Sequence, residues 1–163
     1  KINFLIFLFT VFVFYSTNFF ENPFLKIFFL FFIFISLGTP TFDWDPRSIW
    51  LFHAKRIFYD QSIFSVMDNY AEFSHNNYPN LAPAFASSLA FLVGHWNEVF
   101  PKLSFLFMFL PPLILTYIFF KETQYLIFLS IVFFTIGKFL FNGWSDGLIA
   151  VYFCLSAFLK EAC

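Results

Sequence analysis

Two aspartates two positions apart, Asp43 and Asp45, stand in the run Thr41-Phe-Asp-Trp-Asp-Pro-Arg-Ser-Ile-Trp50, directly behind an apolar stretch over residues 24–38. Carboxylates at such a boundary are costly to keep near lipid unless they bind something. They could coordinate a divalent cation, act as general base toward a hydroxyl, or hold a substrate. Asp45 also has a plainer use: followed by Pro46, it fits an N-cap with proline at the first helical position. Asp43 has no such structural excuse. Arg47, Lys55 and Arg56 follow on what would be one polar helix face, where they could grip a phosphate or simply reach lipid headgroups. His75 and Tyr78, in His-Asn-Asn-Tyr-Pro79, are either a proton donor and phosphate contact or a headgroup-level turn. Asp146, behind Asn142-Gly-Trp-Ser145, is either a further catalytic acid or the cap of the last helix. His95 to Lys102 makes a polar hinge whose favoured duty is connection.

The elements that must position these residues are hydrophobic helices. Sixty per cent of the 163 residues are hydrophobic and 12% charged, against about 25% charged in ordinary soluble domains. Apolar runs over about 2–16, 24–38, 81–96, 103–120, 125–141 and 147–160 predict an all-α, polytopic transmembrane bundle in an integral, multi-pass membrane protein. The interval 39–80 collects eight charged side chains and reads as an outer loop. Within it Trp50, Leu51, Ala54, Ile57 and Phe58 recur at helical spacing opposite Arg47, Lys55 and Arg56, which describes an amphipathic helix on the membrane surface. A weaker segment of the same kind spans Ile63 to Phe73.

Pro111-Pro112 removes two backbone donors and should kink the fourth run. Ala82, Ala84, Ala86, Ser87 and Ser88 suggest a helix packed closely on its neighbours. The 33 phenylalanines read as generic lipid-facing bulk. Cys154 and Cys163 have no metal-type spacing and read as inert. A chain opening on Lys1 and stopping just past an apolar run reads as a fragment of a longer protein. With net charge −1 and no basic block, nucleic acid is not an expected partner.

The order of these motifs resembles the N-terminal part of a GT-C-type membrane glycosyltransferase: a membrane helix, Asp43-Trp-Asp45, Ser-Ile-Trp50 and Ala54-Lys-Arg56 on an amphipathic helix, His75-Asn-Asn-Tyr-Pro79, Gly94-His-Trp96 and Gly143-Trp-Ser-Asp146-Gly-Leu148. The resemblance covers about residues 40–150. It implies an inverting transfer of a sugar from a polyprenyl-phosphate carrier to an acceptor at the periplasmic or luminal face, with a bacterial inner membrane as the expected location. It also implies that the essential acid is Asp45 or Asp43, with Asp146 as the second acid and Lys55, Arg56 and His75 at the carrier phosphate.

Two departures follow. The acid comes after the second apolar run, so one helix precedes the pattern. Three full crossings between the outer loop and Asp146 would place Asp146 on the opposite face from Asp43, so either one run is re-entrant or Asp146 takes no part.

The expected partners are therefore a lipid-linked sugar donor and membrane lipid. No organic cofactor is implied, and a divalent cation stays open. Two other classes compete: a transporter or flippase subunit, and a lipid-carrier polymerase or ligase whose catalytic loop lies elsewhere. Ion-coupled transport needs ionisable side chains inside the bundle, and the apolar runs offer only Lys26 and Lys138, near their ends.

Overall fold

A computed structural model describes residues 23–63, 72–120 and 122–162, and every regular element among them is helical. The proposed first membrane run, 2–16, lies outside the described residues, as does nearly all of the weak amphipathic segment from Ile63 to Phe73.

Five of the apolar runs become helices: α1 Pro23–Gly38, α3 Leu81–Val93, α4 Leu103–Phe119, α5 Glu122–Asn142 and α6 Asp146–Ala162. Between α1 and α3, residues Pro46–Trp50 form a π-helical turn that runs straight into α2, Leu51–Asp60. By length and composition, one helix is long and apolar enough to cross a bilayer, over Thr123–Asn142; the other apolar helices are shorter.

Four of these helices form a bundle whose directions follow from its polar end. Thr39, just past α1, accepts a hydrogen bond through its carbonyl from Lys102 Nζ at the start of α4. Asn142, at the end of α5, donates to Asp43, and α6 starts at Asp146. Helices α1 and α5 therefore run toward this end, and α4 and α6 run away from it.

The bundle core is built largely of rings. Phe32 is 1% exposed, lies edge-on to Phe28 and Phe141 at centroid distances of 4.6 and 5.3 Å, and stacks on Phe133 at 6.1 Å. Phe109, at 6.5 Å from it, and Phe105 are fully buried in the same core. Such pairs add about 0.5–1.5 kcal/mol beyond their area. This corrects the view of phenylalanine as undifferentiated outer bulk: Phe34, Phe134 and Phe153 do face outward, but others are the interior.

Proline places a specific demand on α4. The helix continues through Pro111 and Pro112, and Pro112, lacking an N–H, cannot bond the carbonyl four residues back, on Met108. Tyr152 of α6 donates its hydroxyl to that carbonyl at 2.8 Å. Thr116 Oγ1 donates to the carbonyls of Pro112 and Leu113 at 2.9 and 3.0 Å. Freed backbone groups at a proline in an apolar setting are met by such neighbours.

The remaining pair, α2 and α3, lies against the polar end. The apolar stripe foreseen for α2 exists, with Trp50, Leu51, Ala54 and Ile57 all buried. Its cover is protein, however, because α2 packs chiefly on α3, whose residues from Ala82 to Ser88 are all buried. The small side chains there allow the close approach expected of them. An amphipathic stripe shows that one side of a helix needs an apolar cover without saying whether lipid or protein supplies it, and here α3 does.

Both flanks of α3 return to the same place. Tyr78, before it, lies 5.6 Å from Trp50 by ring centroids, and His75 lies 6.4 Å from Trp44. Trp96, after it, lines a groove with Asp43. At about 1.5 Å per residue, α3 is about 20 Å long.

Candidate functional site

The site gathers where α1 and α5 end. Asp43 Oδ2 accepts from Asn142 Nδ2 at 2.9 Å and from Trp144 Nε1 at 3.1 Å, and Lys138 Nζ lies 4.0 Å away. Those two hydrogen bonds, Asn142 first, hold the Asp43 carboxyl below its ordinary range, helped by the Lys138 charge against a smaller upward push from burial. Gly143 makes the clasp possible. Its φ of +90° is open to glycine, and a Cβ there would stand 3.3 Å from Lys102 Cγ.

Asp45 is the contrary case. Its backbone is already helical, with φ −59° and ψ −48°, and its side chain makes no capping bond. An N-cap needs a non-helical backbone to turn its oxygen onto the first amides, so the capping role expected of Asp45 is overturned. Asp43, for which the sequence offered no structural role, is the one held by side-chain hydrogen bonds. Burial pushes the Asp45 carboxyl above its ordinary value, and the charges of Asp146 and Asp43 push the same way, with His75 opposing.

Asp146 is therefore close enough to act on Asp45 across a separation of a hundred residues. Helix α3 begins and ends near the polar end, so it adds no traverse of the bundle. Between the two acids the chain runs away once, in α4, and back once, in α5. Asp146 is also not a cap: Ile149 N donates to the carbonyl of Ser145, which holds that position, and Asp146 occupies the first turn. An acid there is favoured by the helix dipole.

The basic residues separate into groups. Arg47 and Lys55 line a groove of about 420 Å³ together with Asp43, Trp44, Trp96 and Glu98. Arg56 is not among the residues lining that groove and pairs with Asp60 at 3.1 Å. His75 and Tyr78 stack on each other at 4.8 Å and 17° on the other flank of Trp44.

His75 has φ +52°, a left-handed backbone costing a non-glycine residue about 1–2 kcal/mol. A strained residue at a site must be held by its surroundings. Ser74 Oγ donates to Asn76 Oδ1 at 2.9 Å, bracketing it, and Tyr78 N donates to the His75 carbonyl at 2.9 Å.

Four contributors escaped the sequence reading. Asn142 and Trp144 were visible only as neighbours of Asp146. His53 is fully buried, and one clue was available: it lies three residues past Trp50 and four before Ile57, on the apolar stripe. Lys102, assigned to a connector, is 1% exposed, and burial pushes its ammonium down to about 8.

Among the described residues, no group of three or more His, Cys, Asp or Glu side chains is placed to hold a metal ion. Cys154 is a free thiol on an apolar groove of about 330 Å³ between α4, α5 and α6, and Cys163 lies outside the described residues. In comparisons with known proteins, no family model matches the chain, and no curated protein or solved structure matches it.

Proposed function

We propose that this protein is a multi-pass membrane glycosyltransferase that moves a sugar from a polyprenyl-phosphate carrier to an acceptor at the outer face of a bacterial inner membrane. The observation that carries the reading is the meeting of Asp45 with Asp146 at the end of a helix bundle, beside a groove bearing Arg47 and Lys55.

The membrane assignment has its own support. Outward-facing Phe34, Phe134, Ile127, Ile131, Ile149 and Phe153 put large apolar side chains on α1, α5 and α6, more than soluble monomers commonly expose in one region. At about 24–32 Å, α1, α4, α5 and α6 approach the thickness of a hydrocarbon layer when flanking residues extend them. The apolar groove between α4, α5 and α6 reaches Ala150, one turn beyond Asp146. It offers a hydrocarbon chain a path toward the acids.

In this mechanism Asp45 takes the proton from an acceptor hydroxyl. The oxygen then attacks the anomeric carbon while the bond from that carbon to the phosphate oxygen breaks. The pair of electrons leaves with the polyprenyl phosphate, whose charge Arg47 and Lys55 meet. A carboxylate with raised proton affinity is the better base for this step, and a half-buried place under the charge of Asp146 supplies that affinity. Asp43 keeps the loop in register through Asn142 and Trp144. The test is transfer from a lipid-linked sugar by Asp45→Asn: a loss of about 100-fold or more is expected, and wild-type rates would remove the mechanism.

A further inference from the structure

His53 has no part in that scheme, yet no side chain in α2 is more completely enclosed. Its Nε2 lies 3.4 Å from Ser74 Oγ. The Ser74 hydroxyl proton is committed to Asn76 Oδ1 at 2.9 Å, so Ser74 Oγ receives and His53 Nε2 donates. Nδ1 is then the bare nitrogen of the ring, and it is buried with no hydrogen-bond partner.

Burial accordingly pushes the imidazole below its ordinary pKa, with the charges of Arg56 and His75 adding to the effect against upward pulls from Asn76 and Ser74. Helix α3, packed over this face, carries no titratable side chain between Leu81 and Val93. The ring is a fixed single-proton donor inside the α2–α3 interface.

What it holds is specific. Ser74 and Asn76 flank His75, the residue with φ +52°. The ring of His75 stacks on Tyr78, meets Trp44 edge-on, and acts electrostatically on Asp45. The tie therefore runs from the rigid interface to the one strained residue beside the candidate base.

We propose that His53 is a positioning residue for this site: from inside the α2–α3 interface it secures the Ser74–Asn76 turn and thereby sets His75 against Trp44 and Asp45. The proposal rests on the sugar-transfer reading for its catalytic consequence, while the tie itself can be tested without any activity.

Hydrogen exchange on the full chain in lipid nanodiscs reads the tie, and transfer from a synthetic polyprenyl-phosphate sugar reads its consequence. His53→Leu should speed exchange of the amides at 74–78 by about tenfold, the worth of one net hydrogen bond, and leave α2 and α3 unchanged. His53→Gln, which restores an amide donor near the position of Nε2, should behave as wild type in both measurements. Ser74→Ala leaves the buried ring intact and should loosen the same amides, which keeps the test decisive if His53→Leu does not fold. Transfer should drop by about tenfold in His53→Leu and Ser74→Ala and recover in His53→Gln.

Unchanged exchange at 74–78 in Ser74→Ala, or loosening in His53→Leu spread evenly over α2 and α3, would overturn the proposal and make His53 an ordinary core residue. Failure of the wild-type chain to transfer any sugar would instead overturn the sugar-transfer reading, leaving the exchange comparison to decide the tie.

Discussion

Replacing Asp45 and Asp43 in turn by asparagine should move stability in opposite directions. The Asp43 carboxyl is held below its ordinary value, so its ionised form favours the fold. That contribution is present above the unfolded value and disappears as pH falls through the depressed one. Asp43→Asn should lower the melting temperature at pH 7, and the deficit should vanish in acid. Asp45 is raised, so its ionisation opposes the fold, and stability is lost as pH rises through its folded value. Asp45→Asn should therefore melt at or above wild type at pH 7 while losing transfer. Melting curves in detergent between pH 3 and 7 check both signs; a lower melting point for Asp45→Asn at pH 7 would mark Asp45 as structural.

The chain's letters show that acids cluster near position 45, but they do not divide the labour between them. Asp-Pro suggests a cap because the pair fits a helix start, yet the helix has already begun at Trp44. The partners that occupy Asp43 come from about a hundred positions away, beyond the reach of local pattern. Arg56 differs again: its pairing with Asp60 is a local i to i+4 contact that the sequence does display and that competes with any ligand.

At the scale of elements, helices were legible because long apolar runs have few alternatives, and five of the foreseen runs appear with ends shifted by a few residues. What covers each helix was less legible, as α2 shows. Two substitutions test how elements are joined. Tyr152→Phe removes the hydroxyl serving the Met108 carbonyl freed by Pro112 and should cost about 1 kcal/mol, read as a lower melting point in lipid; no change would mean that the carbonyl finds another donor. Gly143→Ala places a methyl group against Lys102 at a backbone angle alanine resists. A loss of about 1–3 kcal/mol should accompany weaker quenching contacts around Trp144, measurable by its fluorescence.

At the scale of the molecule, the proposed membrane placement makes a prediction about sides. If α3 stays at the polar end, the residues before and after it share a side. Single cysteines at Asn77 and His95, both exposed, should react with an impermeant thiol reagent from the same face in a background with Cys154 and Cys163 replaced by serine. A cysteine at exposed Thr123, at the start of α5, should react only from the other face. Labelling of Asn77 and His95 from opposite faces would make α3 a crossing and remove Asp146 from the site. Sequence alone could not decide this, because a mostly apolar run over about 81–96, of which 13 residues form α3, suits a short crossing and a helix lying along the bundle end equally well.

The clasp between Asp43 and Asn142 has a consequence for biosynthesis. Its two halves are 99 residues apart, so at about 5–20 residues per second a ribosome makes the second half roughly 5–20 s after the first. During that interval the acidic loop has already left the tunnel without the amide and indole that will restrain it. A nascent protein halted before α5 is complete would present a loop whose Asp43 lacks these partners to chaperones and proteases, and the restraint would arrive only when the fifth helix and Trp144 leave the ribosome.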